Sequence, residues 1–303
     1  MGRSDSFDAA VKSFTGYLEG TKKSHHTIKN YRIDLQSFQK YLSSTSRIQP
    51  LLLGGIRHTH VDNYHSFLKE CGLKNNTCRR RLMTIRKFLT FLVKRKKLPN
   101  NFKTKILAPH KIERIPFTAP YAELIKSITE LPVNSELTAR NRVLLWMLAE
   151  TGCLVSEVTR LKFNQLHGQL HTAQPYVEFH GKSARNVPIS TELHAAATDL
   201  QKYAKNNNQW LFLGYNRFGP LGGPISPRGV ELLVRSCSDQ LPSGKKITPR
   251  TFRHSVVLKW FMDGHDKDKI QKLLGLKTNY AFRSYEPLIK SQTKSNQKAT
   301  SIS

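Results

Sequence analysis

Acidic residues are scarce in this sequence. Twenty-one aspartates and glutamates stand against 49 lysines and arginines, a net charge of +28 over 303 residues. Such a field attracts nucleic acid or an anionic membrane surface and says nothing about fold. Long apolar runs are also missing. No stretch of 18 apolar residues exists, which excludes a membrane-spanning helix, and residues 1–6 lack the apolar segment of a secretory leader. Cysteine is sparse. Cys71, Cys78, Cys153 and Cys237 lie far apart with no CxxC pair, as expected for reduced thiols in a cytoplasmic protein. His58 and His60 have no acidic or cysteine partner nearby, so they read as solvated surface and no metal site is expected.

What is present is a globular chain. Apolar residues make up 38%, enough for a sizeable core, and the length suits two domains. Residues 1–110 hold 22 basic and 6 acidic side chains, and the remainder 27 and 15, so both parts are strongly basic. The basic residues are interleaved with apolar positions at helical spacing. That pattern favours a structured nucleic-acid surface over a solubilising tail or a basic structural protein.

Four helices are predicted first. Phe7, Val11, Phe14 and Leu18 mark one over 6–20. Ile28, Tyr31, Leu35, Phe38 and Leu42 give the next a single apolar face, capped by Ser24 or Thr27. Gly54-Gly55 breaks the pattern before Val61, Tyr64, Phe67 and Leu68. Asn75-Asn76-Thr77 reads as the cap of the fourth helix, over 78–97. Its buried stripe is Leu82, Ile85, Leu89, Leu92 and Val93. Arg79, Arg80, Arg81, Arg86, Lys87, Lys94, Arg95, Lys96 and Lys97 cover the rest with no acid among them. Solvated helix faces mix their signs, so this run is expected to meet a DNA or RNA backbone. Four prolines (Pro99, Pro109, Pro116, Pro120) then mark a strap.

The second part is expected to be mainly helical with one small β-hairpin. Helices are predicted over 121–129, 138–150, 191–205, 226–238, 250–264, 266–275 and 278–289, with a short one starting at Ser156. Residues 175–180 alternate as a strand, Gly181–Arg185 turn, and 186–189 return. Trp210–Leu213 reads as a short buried segment, and the polar residues from 290 as a tail.

Five short motifs follow in order. They are Thr151-Gly152-Cys153-Leu154-Val155-Ser156-Glu157, Gly181-Lys182 on the hairpin, Thr248-Pro249-Arg250-Thr251-Phe252-Arg253-His254, Leu273-Leu274-Gly275-Leu276, and Tyr285. Together they resemble the conserved boxes of tyrosine-type site-specific DNA recombinases, the phage integrases and Xer-like enzymes, over essentially the whole chain. The resemblance implies a helical, SAM-like core-binding domain over 1–107, a linker over 108–117, a catalytic domain over 118–289 and a tail over 290–303. It implies a tyrosine oxygen attacking a DNA phosphodiester to form a 3′-phosphotyrosyl bond, which a 5′-hydroxyl later reverses. No cofactor is needed, because the phosphotyrosine conserves the bond energy. Double-stranded DNA is the implied partner, with self-association into a dimer or tetramer on it.

Position by position, the resemblance makes Tyr285 the nucleophile, Arg253 the second phosphate-binding arginine and Lys182 the general acid. Arg79, Arg80, Arg81, Arg86 and Lys87 become DNA-backbone contacts. Tyr280 is a rival nucleophile, but Tyr285 has the family spacing. His254 follows Arg253 as in the family and is taken as supporting. Three positions depart from the pattern. Leu154 stands where the first arginine belongs, Arg250 where a histidine or lysine belongs, and Leu276 where a histidine or tryptophan belongs. Losing one preorganised donor to a developing oxyanion costs about 2.7–4 kcal/mol. Arg160, six residues on, points elsewhere on a helix. Two functional readings follow: a recombinase whose arginine pair is Arg250 and Arg253, or a recombinase-like DNA-binding protein that cleaves weakly or not at all. Arg253, inside an apolar helix, needs an anionic partner, which is either DNA phosphate or an internal acid such as Glu157.

Overall fold

A computed structural model describes residues 6–21, 23–45, 51–99, 108–168, 174–203, 208–236 and 247–291; for 279–281 only the backbone is described. Cys237, residues 100–107 of the strap, the tail from 292 and the side chain of Tyr280 therefore lie outside the described residues. The chain divides into two compact units, Met1–Glu113 and Arg114–Ser303.

The first unit is built from α1 (Phe7–Gly20), α2 (His25–Thr45), α3 (His58–Glu70) and α4 (Asn75–Lys94). Each helix buries most of the stripe its spacing predicts, with Val11, Tyr31 and Phe67 partly buried at its edge. Phe7, Phe14, Phe38, Tyr64 and Phe88 meet in one aromatic core, with Phe7 edge-on to Phe88 and Phe38 edge-on to Tyr64. The Ser24 hydroxyl accepts from the Thr27 amide at 3.2 Å at the start of α2. His60 is a capping group, its Nδ1 accepting the Arg57 amide at 3.2 Å. No group of three or more metal-ligating residues occurs among the described residues.

The expected cap of α4 does something else. Lys74 occupies the N-cap, and Asn75 and Asn76 already lie within the helix. Their amides hold the strap: Asn75 Nδ2 donates to His110 O at 2.9 Å, and Asn76 both donates to Ile112 O (3.0 Å) and accepts from Ile112 N (3.1 Å). Arg79 donates to Pro109 O at 2.6 Å. Residues 109–112 are thus fastened to the head of α4.

The second unit contains α5 (Tyr121–Thr129), α6 (Glu136–Thr151), α7 (Val155–Val158), α8 (Thr191–Asp199), α9 (Pro227–Ser236), α10 (Pro249–Met262) and α11 (Lys267–Leu274). A three-stranded antiparallel sheet runs in the order β1 (Leu166–His167), β2 (Tyr176–Phe179), β3 (Arg185–Pro188), with Val177 opposite Val187. A second hairpin, β4 (Leu213–Asn216) and β5 (Gly219–Pro224), follows the short buried segment expected over Trp210–Leu213, where no strand was expected. Its strands are rich in Gly and Pro, which carry no strand signal. α6 is buried nearly all round, with Val143, Leu144, Leu145, Met147 and Leu148 in the core, and α10 packs along it. The stretch 278–289, expected as one helix, begins as a 3-10 helix over Asn279–Tyr285 and becomes α-helical at 286–291.

Candidate active site

Two glycines end the helices that carry the first and fourth motifs. Gly152 closes α6 at φ 58° and Gly275 closes α11 at φ 62°, left-handed conformations that favour glycine. Both also lie where a side chain would not fit. A Cβ at Gly152 would sit 2.8 Å from Val256 Cγ1 on α10, and one at Gly275 2.7 Å from Ser183 Cβ on the lysine hairpin. The close approaches fix box against box.

Arg253 lies at the centre. Thr248 caps α10 and Pro249 opens it, so Arg253 falls in the first turns, facing α6 and α11. Its Nη1 donates to Gly152 O at 2.6 Å and its Nη2 to Leu274 O at 3.3 Å. It makes no carboxylate ion pair among the described residues. Burial, then the neighbouring Arg185, disfavours its charge. A half-buried cation with unused donors is suited to an incoming anion.

Glu157 is not its partner. The carboxylate takes a bidentate pair from Arg185, at 2.7 and 3.0 Å, and accepts the Leu154 amide at 2.7 Å. Arg185 also donates through Nε to Leu273 O at 2.7 Å. With exposures of only 5% and 13%, this pair ties the hairpin to the first and fourth motifs. Arg185, expected in the hairpin turn, is the first residue of β3. Strand alternation would have found it, since it shares a face of β3 with fully buried Val187.

Tyr285 is 5% exposed and packs with Phe261, Phe282 and Val257. Its hydroxyl meets Nδ1 of His254, the residue treated as merely supporting. Burial pushes the phenol up to about 12, with Arg253 and Arg250 opposing. Burial, then Arg250 and Arg253, pushes the His254 imidazole down to about 4, so it is neutral and able to accept. The field of Arg250 thus reaches both groups. Its side chain is exposed in the first turn of α10 and forms no ion pair among the described residues.

The remaining predicted positions are plain. Lys182 is exposed in the hairpin turn, next to the Ser183 that backs onto Gly275. Leu154 is 47% exposed at the start of α7 and contributes only its backbone. Arg160 is exposed and brings no charge to a described contact. Leu276 packs on the cluster of Val256, Trp260 and Leu274.

In the first unit the five basic residues separate. Asp34, fully buried, binds Arg80 and accepts from Thr84 at 2.9 Å, with Arg81 Nε 3.9 Å away. Arg81 also donates to Ser37 at 2.6 Å. The run on α4 therefore has a compensating acid, supplied by α2. Arg79 is taken up by the strap, and Lys87 donates to Tyr31 Oη at 2.7 Å. Arg86 is exposed and its side chain is uncommitted among the described residues.

Residues 11–96 match the phage integrase N-terminal SAM-like domain, and residues 121–287 match the phage integrase family. Tyrosine recombinase XerC of Halalkalibacterium halodurans is 28% identical over 282 residues, 88% of this chain and 89% of that protein. Tyrosine recombinase XerD of Oceanobacillus iheyensis is 26% identical over 272 residues, with 88% and 89% covered. Among solved structures, XerH recombinase on palindromic difH substrate after cleavage has a TM-score of 0.71 at 18% identity, covering 89% of this chain and 79% of that one. A lambda integrase dimer on a COC′ core site gives 0.64 at 14% identity, covering 92% and 77%. These structural likenesses are of fold.

Proposed function

Since the chain belongs to the phage integrase family, we propose that it cuts and rejoins duplex DNA at specific sites through Tyr285. The observation that carries this reading is the closed set of contacts around Arg253. Through Gly152 and Leu274 it joins three motifs, and the Arg185–Glu157 pair adds the hairpin that bears Lys182. Tyr285 is held to the same helix by His254.

The chemistry follows from what these groups donate. Arg253 and Arg250 neutralise the non-bridging oxygens as charge builds on the phosphorane, and Lys182 protonates the departing 5′ oxygen. Tyr285 keeps the strand as a 3′-phosphotyrosine, so rejoining needs no cofactor. The tyrosine recombinases XerC and XerD, and the DNA-bound XerH and lambda integrase structures, support double-stranded DNA as the substrate. The lambda integrase dimer supports assembly of at least two copies on it. The first unit adds basic side chains, among them the exposed Arg86. No helix among the described residues is long and apolar enough to cross a membrane.

Leu154 favours a second reading. An exposed leucine offers the phosphate neither charge nor hydrogen bond, and this points to a DNA-binding protein that cleaves weakly. A single experiment separates the two. A target site is selected from a randomised duplex library, and a nicked version is offered to the protein. A covalent complex that Tyr285→Phe abolishes supports strand cleavage. Tight binding with no covalent complex overturns it in favour of the second reading.

A further inference from the structure

We infer that His254 is a catalytic residue of this site: its Nδ1 holds the Tyr285 hydroxyl and takes the phenolic proton as the oxygen attacks phosphorus. The inference rests on the strand-cleaving reading above, and it starts from a direct contact. Nδ1 of His254 meets Oη of Tyr285, with the ring centroids 5.5 Å apart at 55°. The two residues lie 31 positions apart, on α10 and on the 3-10 segment; Tyr285 is buried in the Val256, Val257, Trp260 and Phe282 cluster, and His254 is half-buried against it. A buried phenol next to a neutral imidazole donates and the imidazole accepts, which places the ring proton on Nε2. That contact fixes both the direction of the hydroxyl and the destination of its proton.

A proton acceptor is needed here because a buried phenol with a raised pKa is a poor nucleophile until it loses its proton. The charged groups facing the pair are Arg250 and Arg253 from α10, with Arg185 and Glu157 standing behind Arg253. Burial, and after it the two α10 arginines, keep His254 a weak base while the site is empty. A DNA phosphate bound between them cancels part of their field and raises the basicity of the imidazole, so the nucleophile is activated by the substrate it attacks. As the Oη–P bond forms, the phenolic proton passes to Nδ1. The bond from phosphorus to the 5′ oxygen breaks, its electron pair leaves with that oxygen, and Lys182 supplies the proton. On rejoining, the 5′-hydroxyl returns its proton to Lys182 and the imidazolium returns its own to the departing tyrosine oxygen.

The test uses the full chain on its selected nicked duplex, with His254→Asn and His254→Ala. Asparagine keeps an acceptor near the Nδ1 position but does not take up a proton. The rate of covalent-complex formation at saturating DNA is followed from pH 5 to 9, with DNA affinity as the check on folding. In parallel, 3-fluorotyrosine replaces Tyr285 and its fluorine resonance reports the contact. The expected result is DNA binding within a few-fold of the native chain for both variants, cleavage slowed roughly 10²-fold or more, loss of the acid limb of the pH profile, and a fluorine shift moved by His254→Ala and preserved by His254→Asn. Cleavage by His254→Ala at or above the native rate would make the contact a restraint and overturn the inference. Near-native cleavage by His254→Asn would show that holding alone suffices, and overturn the proton transfer. Tight binding by the native chain without any covalent complex refutes the strand-cleaving reading itself, and the proton transfer with it.

Discussion

Leu154→Arg is the sharpest perturbation the site offers. Leu154 is 47% exposed and its side chain supports no helix cap; what holds the turn is its amide, bound to Glu157. A longer side chain therefore displaces nothing, and the expected change in stability is within about 0.5 kcal/mol, as for other exposed positions free of special features. The position follows Gly152 by two residues, and Gly152 O is the acceptor of Arg253. A guanidinium placed there enters next to Arg253, the arginine proposed to bind the phosphate. One preorganised donor to a developing oxyanion contributes about 2.7–4 kcal/mol, or 10²–10³ in rate, and a charged bidentate donor does not contribute less. Single-turnover formation of the covalent complex on a nicked duplex should accelerate by at least about 10²-fold, with unchanged thermal midpoint and little change in DNA affinity. Leu154→Lys should recover less, because it lacks the planar fork. An unchanged rate from a folded, DNA-binding Leu154→Arg protein would refute the placement of Leu154 at the scissile phosphate.

Arg185→Leu removes one half of a buried, bidentate pair and strands Glu157; a loss of about 3–5 kcal/mol is expected in urea or thermal unfolding, and a loss under 1 kcal/mol would deny the pair its joining role. The His254 imidazole is neutral in the folded chain, depressed to about 4 from an ordinary 6.5. The unfolded chain therefore binds more protons between those values, and stability should fall as pH drops from about 6.5 to about 4. His254→Asn should flatten that limb of the melting profile, and an unaltered limb would assign it elsewhere. On duplex DNA, with about eight phosphate contacts, log K should fall against log salt with a slope near −7. Arg86→Ala should reduce the slope by about 0.9, whereas Arg81→Ala, whose guanidinium is turned to Asp34 and Ser37, should leave it nearly unchanged; equal effects would contradict the division of the α4 charges.

The helices were legible because their stripes are strictly periodic: Leu82, Ile85, Leu89 and Leu92 on α4 are all buried. Spacing also singles out Arg253 and Tyr285, and the fold brings both to α10, Tyr285 through its contact with His254. What the sequence hid are partnerships between distant residues. Asp34 neutralises a run of arginines 46 positions away, and nothing near Asp34 marks it as their partner. Glu157 was a plausible partner for Arg253, yet the choice between Arg253 and Arg185 depends on how the hairpin folds back over α11. The β4–β5 hairpin escaped because Gly219, Gly222 and Gly223 and their neighbouring prolines read as loop. The contact between His254 and Tyr285 depends on a 3-10 segment that periodicity had drawn as α-helix.

The contacts of Arg253 have a consequence for how such a site can change over time. Its side chain serves two masters: it fastens the ends of α6 and α11, and in the proposed reaction it offers its remaining donors to a phosphate. Exchanging it strikes folding and chemistry together. Leu154 holds the protein together only through its backbone, and Leu276 contributes packing that an apolar side chain supplies unaided. Drift is therefore cheap at those two positions and expensive at Arg253. The departures from the family pattern thus fall at Leu154 and Leu276, where the fold needs only a backbone or an apolar side chain, and the arginine that ties two helix ends together remains.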